Sequence, residues 1–392
     1  MNTMFDKKLE RDKGLFWLKD VFTPDRNREE GLLSYAGAEF EFPTCEALRK
    51  GVARAAEASL FGYTLARGAY LERLGWWMET VRGCTIEPDW VVSTHGTIFS
   101  LATTIRLQTK PGENIIMLTP GYNRYEQAAT RLGRGTVKVP LKDENGRYSM
   151  DWAALESAMS QEENRVLALC NPNNPTGNVY TREELERIAK LADKHGVTVF
   201  ADEIFADVVF GEAVTPYVLA AGENSLAITC TSMGKTFSLT GMNHANVIIR
   251  NPELRERFIA QRNADHYGSV DPLHAAALVA AYTPEGYAWL REMRAYVQEN
   301  ACMVKEFMKK YLPAAVVTEP EGTFVMWIDF EPAGMSYEDV QAVIVNKGCF
   351  AGDPGEDYLG RESCMRFSLA VPRAELKKSL AYLAQALTDS AP

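Results

Sequence analysis

Between residues 165 and 202 the chain reads RVLALC, NPNNPTGNVY, TREELERIAKLADKHG and VTVFAD. No other stretch limits the fold as much. RVLALC and VTVFAD are short apolar runs with almost no polar alternation, which marks strands buried on both faces. The segment between them opens on a capping box, Thr181 to Glu184, keeps a helical period and stops at Gly196. Strands apolar on both faces and separated by helices indicate a mainly parallel sheet covered on both sides.

The same alternation runs through the middle of the chain. WVVST (90–94), NIIML (114–118) and SLAITC (225–230) read as further strands, with helices from about Thr97 and through YEQAATRL. After about residue 283 the pattern changes. A long helix, EGYAWLREMRAYVQENACMVKEFMKKYL, leads into TFVMWIDF, a helix near 337–346, MRFSLAV and a last helix from about Arg373. The expected architecture is α/β: a large domain over 46–283, and a smaller α+β domain built from 1–45 and 284–392. A length of 392 residues suits two domains.

Composition removes several function classes. The formal net charge is −10, which argues against a general nucleic-acid binder or a ligand for anionic membranes. The N-terminal MNTMFDKKLERDKG has no apolar core, so no secretory leader is expected, and the apolar runs are too short to span a bilayer. The seven cysteines form no C-x-x-C pair and are odd in number, which fits reduced thiols in a cytoplasmic protein. The five histidines show no metal-ligand spacing, so no metal is expected.

Parallel α/β sheets bind ligands beyond the carboxyl ends of their strands. After WVVST, Gly96 and Thr97 open a helix whose N-terminal amides suit an anion such as phosphate. After NIIML comes TPGYNRY, with Tyr122 at the mouth. After RVLALC comes NPNNPTG, an ordered turn in which Asn174 offers a donor. Asp202 ends VTVFAD, where an unpaired carboxylate is costly; no lysine or arginine stands beside it in sequence. After SLAITC comes TSMGKTFSLTG. Read alone, Lys235 is a solvated loop lysine. It is not a P-loop lysine, because that motif needs glycine where Thr229 stands. In order, these strand ends describe a pyridoxal 5'-phosphate site. Lys235 forms a Schiff base. Asp202 keeps the pyridine nitrogen protonated, Asn174 bonds the ring oxygen and Tyr122 stacks on the ring. Ser232 and the helix N-terminus hold the phosphate.

NPNNPTG, ADEI and S-x-x-K in this order resemble fold-type I pyridoxal-phosphate enzymes of the class I/II aminotransferase superfamily, over essentially the whole chain. The resemblance implies a seven-stranded-type sheet and supports the roles above. It makes Arg366, in CMRFSLAV, the arginine for the substrate α-carboxylate. Tyr63, in LFGYTLARG, is similar to the tyrosine that reaches the cofactor phosphate of a partner subunit, which implies a homodimer. FGYT, DEIFADVVF and YAGAEFEFP look like the MalY/PatB-type cystathionine β-lyase branch, with Gly37 in its substrate-binding N-terminal segment. Asn243 stands where many aminotransferases place an arginine for the cofactor phosphate. Phe205 replaces the usual His or Tyr near the ring oxygen. His95 reads as a loop histidine, and Asp353 is not expected to contact substrate. The implied activity is α,β-elimination from a cysteine S-conjugate, with transamination and a non-catalytic regulatory role as alternatives.

Overall fold

The computed structural model describes residues 4–11 and 14–390. Its main sheet has seven strands: β1 (Val91–Thr94), β2 (Asn114–Thr119), β3 (Gly135–Pro140), β4 (Asn164–Cys170), β5 (Thr198–Asp202), β6 (Ala227–Thr231) and β7 (Ala245–Ile248). Their spatial order is β1-β7-β6-β5-β4-β2-β3. All pairings are parallel except those of β7, which runs antiparallel to both neighbours. The strands β4, β5 and β6 are buried almost throughout, in keeping with helices on both faces.

Six helices matter for the site: α1 (Ala69–Arg82), α2 (Thr97–Gln108), α3 (Arg124–Arg131), α4 (Arg182–His195), α5 (Pro284–Tyr311) and α6 (Arg373–Asp389). The capping box of α4 forms in both directions. Glu184 N–H donates to Thr181 Oγ1, and Thr181 N–H donates to the Glu184 carboxylate. Gly196 closes the helix at φ +66°, a left-handed conformation that glycine adopts without strain.

A second, antiparallel sheet joins β8 (Val316–Val317), β9 (Val325–Asp329), β10 (Asp353–Pro354) and β11 (Cys364–Ser368) in the order β8-β9-β11-β10. The helix expected near 337–346 is one α-turn, Tyr337–Asp339, followed by a π-helix over Val340–Lys347. The N-terminal residues 35–41 run between the two sheets. Tyr35 N–H donates to Ala351 O, Ser368 N–H to Tyr35 O, and Glu41 N–H to Ala370 O. On the other side, Phe40 N–H donates to Ser238 Oγ. Among the described residues no helix is long and apolar enough to cross a membrane.

Candidate active site

The carboxyl ends of the parallel strands open into two cavities of about 210 and 260 Å³ that share Tyr122, Asp202, Ile204 and Lys235. Together they reach the size of ordinary small-molecule sites, roughly 300–1,000 Å³. Three of the residues singled out from sequence, Tyr122, Asp202 and Lys235, thus line both cavities. Gly96, Thr97 and Ser232 line one end, while Asn174, Gly37 and Arg366 line the other.

Gly96 caps α2 at φ +103°, and Thr97 is the first helical residue, so the helix N-terminus faces the 260 Å³ cavity. Among the described residues, Lys235 is the only lysine or arginine that lines this end, which Asn243 and His95 also line. The Ser232 hydroxyl is committed to its own loop, donating to His244 O at 2.7 Å and accepting from Gly234 N–H. It therefore braces the turn that carries Lys235, and reaches an anion with its proton only by releasing His244. His95 is exposed and packs its ring on Tyr267 at 4.6 Å.

Asp202 is buried, 2% exposed, at the end of β5. Its hydrogen-bond partners in the protein are neutral donors. Tyr125, on α3, donates its hydroxyl proton to Oδ2, and Ile204 N–H donates to Oδ1. Burial raises the Asp202 carboxyl to about 6 against the pull of these donors. Lys235 is half-buried and donates to Ala38 O at 2.9 Å. Loss of water and then the nearby Arg366 charge lower its ammonium to about 8. Behind it, Thr236 Oγ1 donates to Asp207, which also accepts from Trp77 Nε1 and Arg82. Arg82 reaches Glu203 as well, so a buried ion network anchors the strand end and the lysine loop to α1. Phe205 is fully buried, and the Lys235 ammonium lies 5.7 Å from its ring centre.

Arg366 is 3% exposed on β11. Its Nη1 donates to Asn174 Oδ1 at 3.0 Å, and its Nε and Nη2 donate to Asp353 Oδ2 at 3.1 and 2.6 Å. The ring of Tyr358 lies 4.6 Å from the guanidinium carbon and stacks at 6.5 Å on Tyr122. Gly37, at φ +75°, gives its N–H to both oxygens of Asp353 at 3.0 Å. Its amide is therefore engaged by protein rather than open to a ligand. Tyr63 does not line the Lys235 cavities. It is wholly exposed and lines a neighbouring cleft with His95, Asn243 and His244.

Sequence reasoning missed Tyr125, Tyr358 and the Asp353–Arg366 pair. Tyr125 stands in the first turn of α3, three residues after Tyr122 in the preceding loop, and the two rings meet edge-on at 5.7 Å. Nothing local marks Asp353, which meets Arg366 through sheet register.

A chain with this sheet, with a lysine and a buried aspartate after its strands and an arginine from the second sheet lining the joined cavities, has the layout of a fold-type I enzyme. It belongs to the class I and II aminotransferase family, whose profile matches residues 34–383. It is 28% identical to cystathionine β-lyase PatB of Bacillus subtilis, over 90% of this chain and 91% of that protein. It is 28% identical to the MalY protein of Escherichia coli, over 98% and 99% of the two chains. Cystalysin from Treponema denticola, solved with pyridoxal 5'-phosphate, superposes over the full length of both chains with a TM-score of 0.92 at 28% identity. The residues here fit that cofactor. A buried carboxylate with no salt-bridge partner among the described residues faces the same cavity as the lysine, and a helix N-terminus closes the far end.

Proposed function

We propose that this chain is a pyridoxal-phosphate-dependent carbon–sulfur β-lyase. It would convert an L-cysteine S-conjugate, such as cystathionine, to pyruvate, ammonia and a thiol. The observation that carries the reading is similarity to cystalysin over the full length and to PatB over nine-tenths of both chains, combined with a cofactor end lined by Asn243 and, among the described residues, no arginine. Lys235 would carry the cofactor, Asp202 would face its ring nitrogen and Asn174 Nδ2 its ring oxygen. Tyr122 would cover the ring, while the α2 N-terminus, with Ser232 nearby, would receive the phosphate. When bound, the cofactor supplies an electron sink for negative charge at the substrate α-carbon.

The protein's own groups do the rest. Arg366 binds the α-carboxylate and orients the Cα–H bond. Lys235, whose ammonium is lowered to about 8, takes the α-proton as general base. Tyr358, Phe22 and Leu18 line the same cavity as Arg366 and would face the sulfur substituent of the substrate. Tyr63, exposed beside the cofactor end, would serve the site of a second copy in a homodimer. A second reading is an aminotransferase on the same site. It is supported by the family and by 26% identity to the putative aminotransferase YugH of Bacillus subtilis over 90% of both chains.

The test is release of pyruvate and ammonia from L-cystathionine and S-alkyl cysteines by cofactor-loaded protein without any keto acid. Lys235→Ala should abolish it. Turnover that appears only when a keto acid is added would replace elimination with transamination. Near-normal activity in Lys235→Ala would end both.

A further inference from the structure

We propose that Asp353 is a positioning residue that presets Arg366 for a single carboxylate. The inference rests on the reading of Arg366 as the α-carboxylate site. Asp353 and Arg366 are direct cross-strand partners in the antiparallel pair β10–β11. Their side chains leave the same face and meet without a long reach. One oxygen of Asp353 takes both Nε and Nη2, the side-on edge of the guanidinium. Asn174 takes one proton of Nη1, and the Tyr358 ring covers a flat face.

A guanidinium has five N–H groups in one plane. Three are spent on these partners, which leaves one on each terminal nitrogen. Two such donors match the two oxygens of one carboxylate. Asp353 is itself fixed, because Gly37 N–H donates to both of its oxygens. The N-terminal segment that supplies Gly37 also supplies Ala38 O, the acceptor of Lys235. The acid therefore does not compete with substrate for the whole guanidinium. It removes the one edge on which an α-carboxylate would dock in a different orientation, and it holds Arg366 in register with the lysine.

The opposite view makes Asp353 a lock that substrate must displace, and the two views differ in sign. The experiment titrates L-alanine and L-alaninamide calorimetrically into cofactor-loaded Lys235→Ala protein, alone and combined with Asp353→Asn, Asp353→Ala or Arg366→Met. Arg366→Met should abolish the preference for alanine over alaninamide. If it does not, the carboxylate reading of Arg366 fails, and the inference with it. With that control met, Asp353→Asn and Asp353→Ala should weaken alanine about tenfold and leave alaninamide within about twofold. In the protein that keeps Lys235, KM for S-ethyl-L-cysteine should rise by a similar factor, with kcat within about threefold. Tighter alanine binding would establish the lock instead. Unchanged alanine binding, or equal losses for both ligands, would also overturn the proposal. Asp353→Ala, which lacks any acceptor, keeps the comparison available if the asparagine variant does not fold.

Discussion

Asp202 offers the sharpest quantitative test of the site, and cofactor-free protein is the place to apply it. Its carboxyl rises from an ordinary 3.8 to about 6, with burial as the cause and no cation in salt-bridge reach among the described residues. A raised folded-state value means that the native protein holds its proton where the unfolded chain has already released it. Below about pH 4 both states are protonated and nothing is lost. Between pH 4 and 6 the unfolded state is favoured progressively, and above about pH 7 the full penalty applies. Two pKa units correspond to about 3 kcal/mol. Asp202→Asn keeps the shape and removes the titration. In urea denaturation followed by tryptophan fluorescence, the wild type should therefore lose about 3 kcal/mol relative to the variant between pH 4 and 7. Reconstitution with pyridoxal phosphate should remove that loss, because a protonated ring nitrogen beside Asp202 supplies the missing charge. A stability gap that stays constant from pH 4 to 7 in cofactor-free protein would refute the reasoning. It would show that the carboxyl is hydrated or paired in a way the geometry does not contain.

Two further outcomes are expected. Thr181→Ala removes one arm of the α4 capping box and should cost about 1 kcal/mol in urea denaturation, with activity unchanged. If Tyr63 serves the partner's site, mixing the Lys235→Ala and Tyr63→Ala proteins under subunit exchange should recover roughly a quarter of wild-type lyase activity, since only hybrids carry one intact site. Recovery of none would place Tyr63 in the site of its own subunit, and full activity of Tyr63→Ala alone would place it outside the site.

What could be read from sequence follows the physics of each element. The strands β4, β5 and β6 announce themselves because burial on both faces leaves no polar alternation to disguise them, and Thr181 and Gly196 mark the ends of α4 by local chemistry alone. The residues after those strands were therefore legible as a set, and the structure gathers Lys235, Asp202, Asn174, Tyr122 and Arg366 around joined cavities. The strands β3 and β7 were not legible. The first is an exposed edge strand without a buried apolar run, and the second is four residues long and reverses direction against its neighbours. The partner of Asp202 was equally hidden. A rule about charges asks for a lysine or arginine, whereas the fold supplies a tyrosine from α3, 77 positions earlier in the chain. Asp353 could not be linked to Arg366 without the register of a two-residue strand.

The hydrogen bond from Gly37 to Asp353 spans 316 positions of chain. Lys235 leans on the same early segment, through Ala38. During synthesis the segment that braces the lysine is made first, and the acid and arginine that complete the site are made last. At ~5–20 residues per second, that interval lasts on the order of 15–60 s on the ribosome. The nascent chain can build the seven-stranded sheet in that time, but Arg366 and Asp353 have not yet been made. Completion of the pocket is thus tied to completion of the polypeptide. A prematurely terminated chain that ends before residue 353 would retain the lysine and the buried aspartate, yet lack the groups that select what they act on.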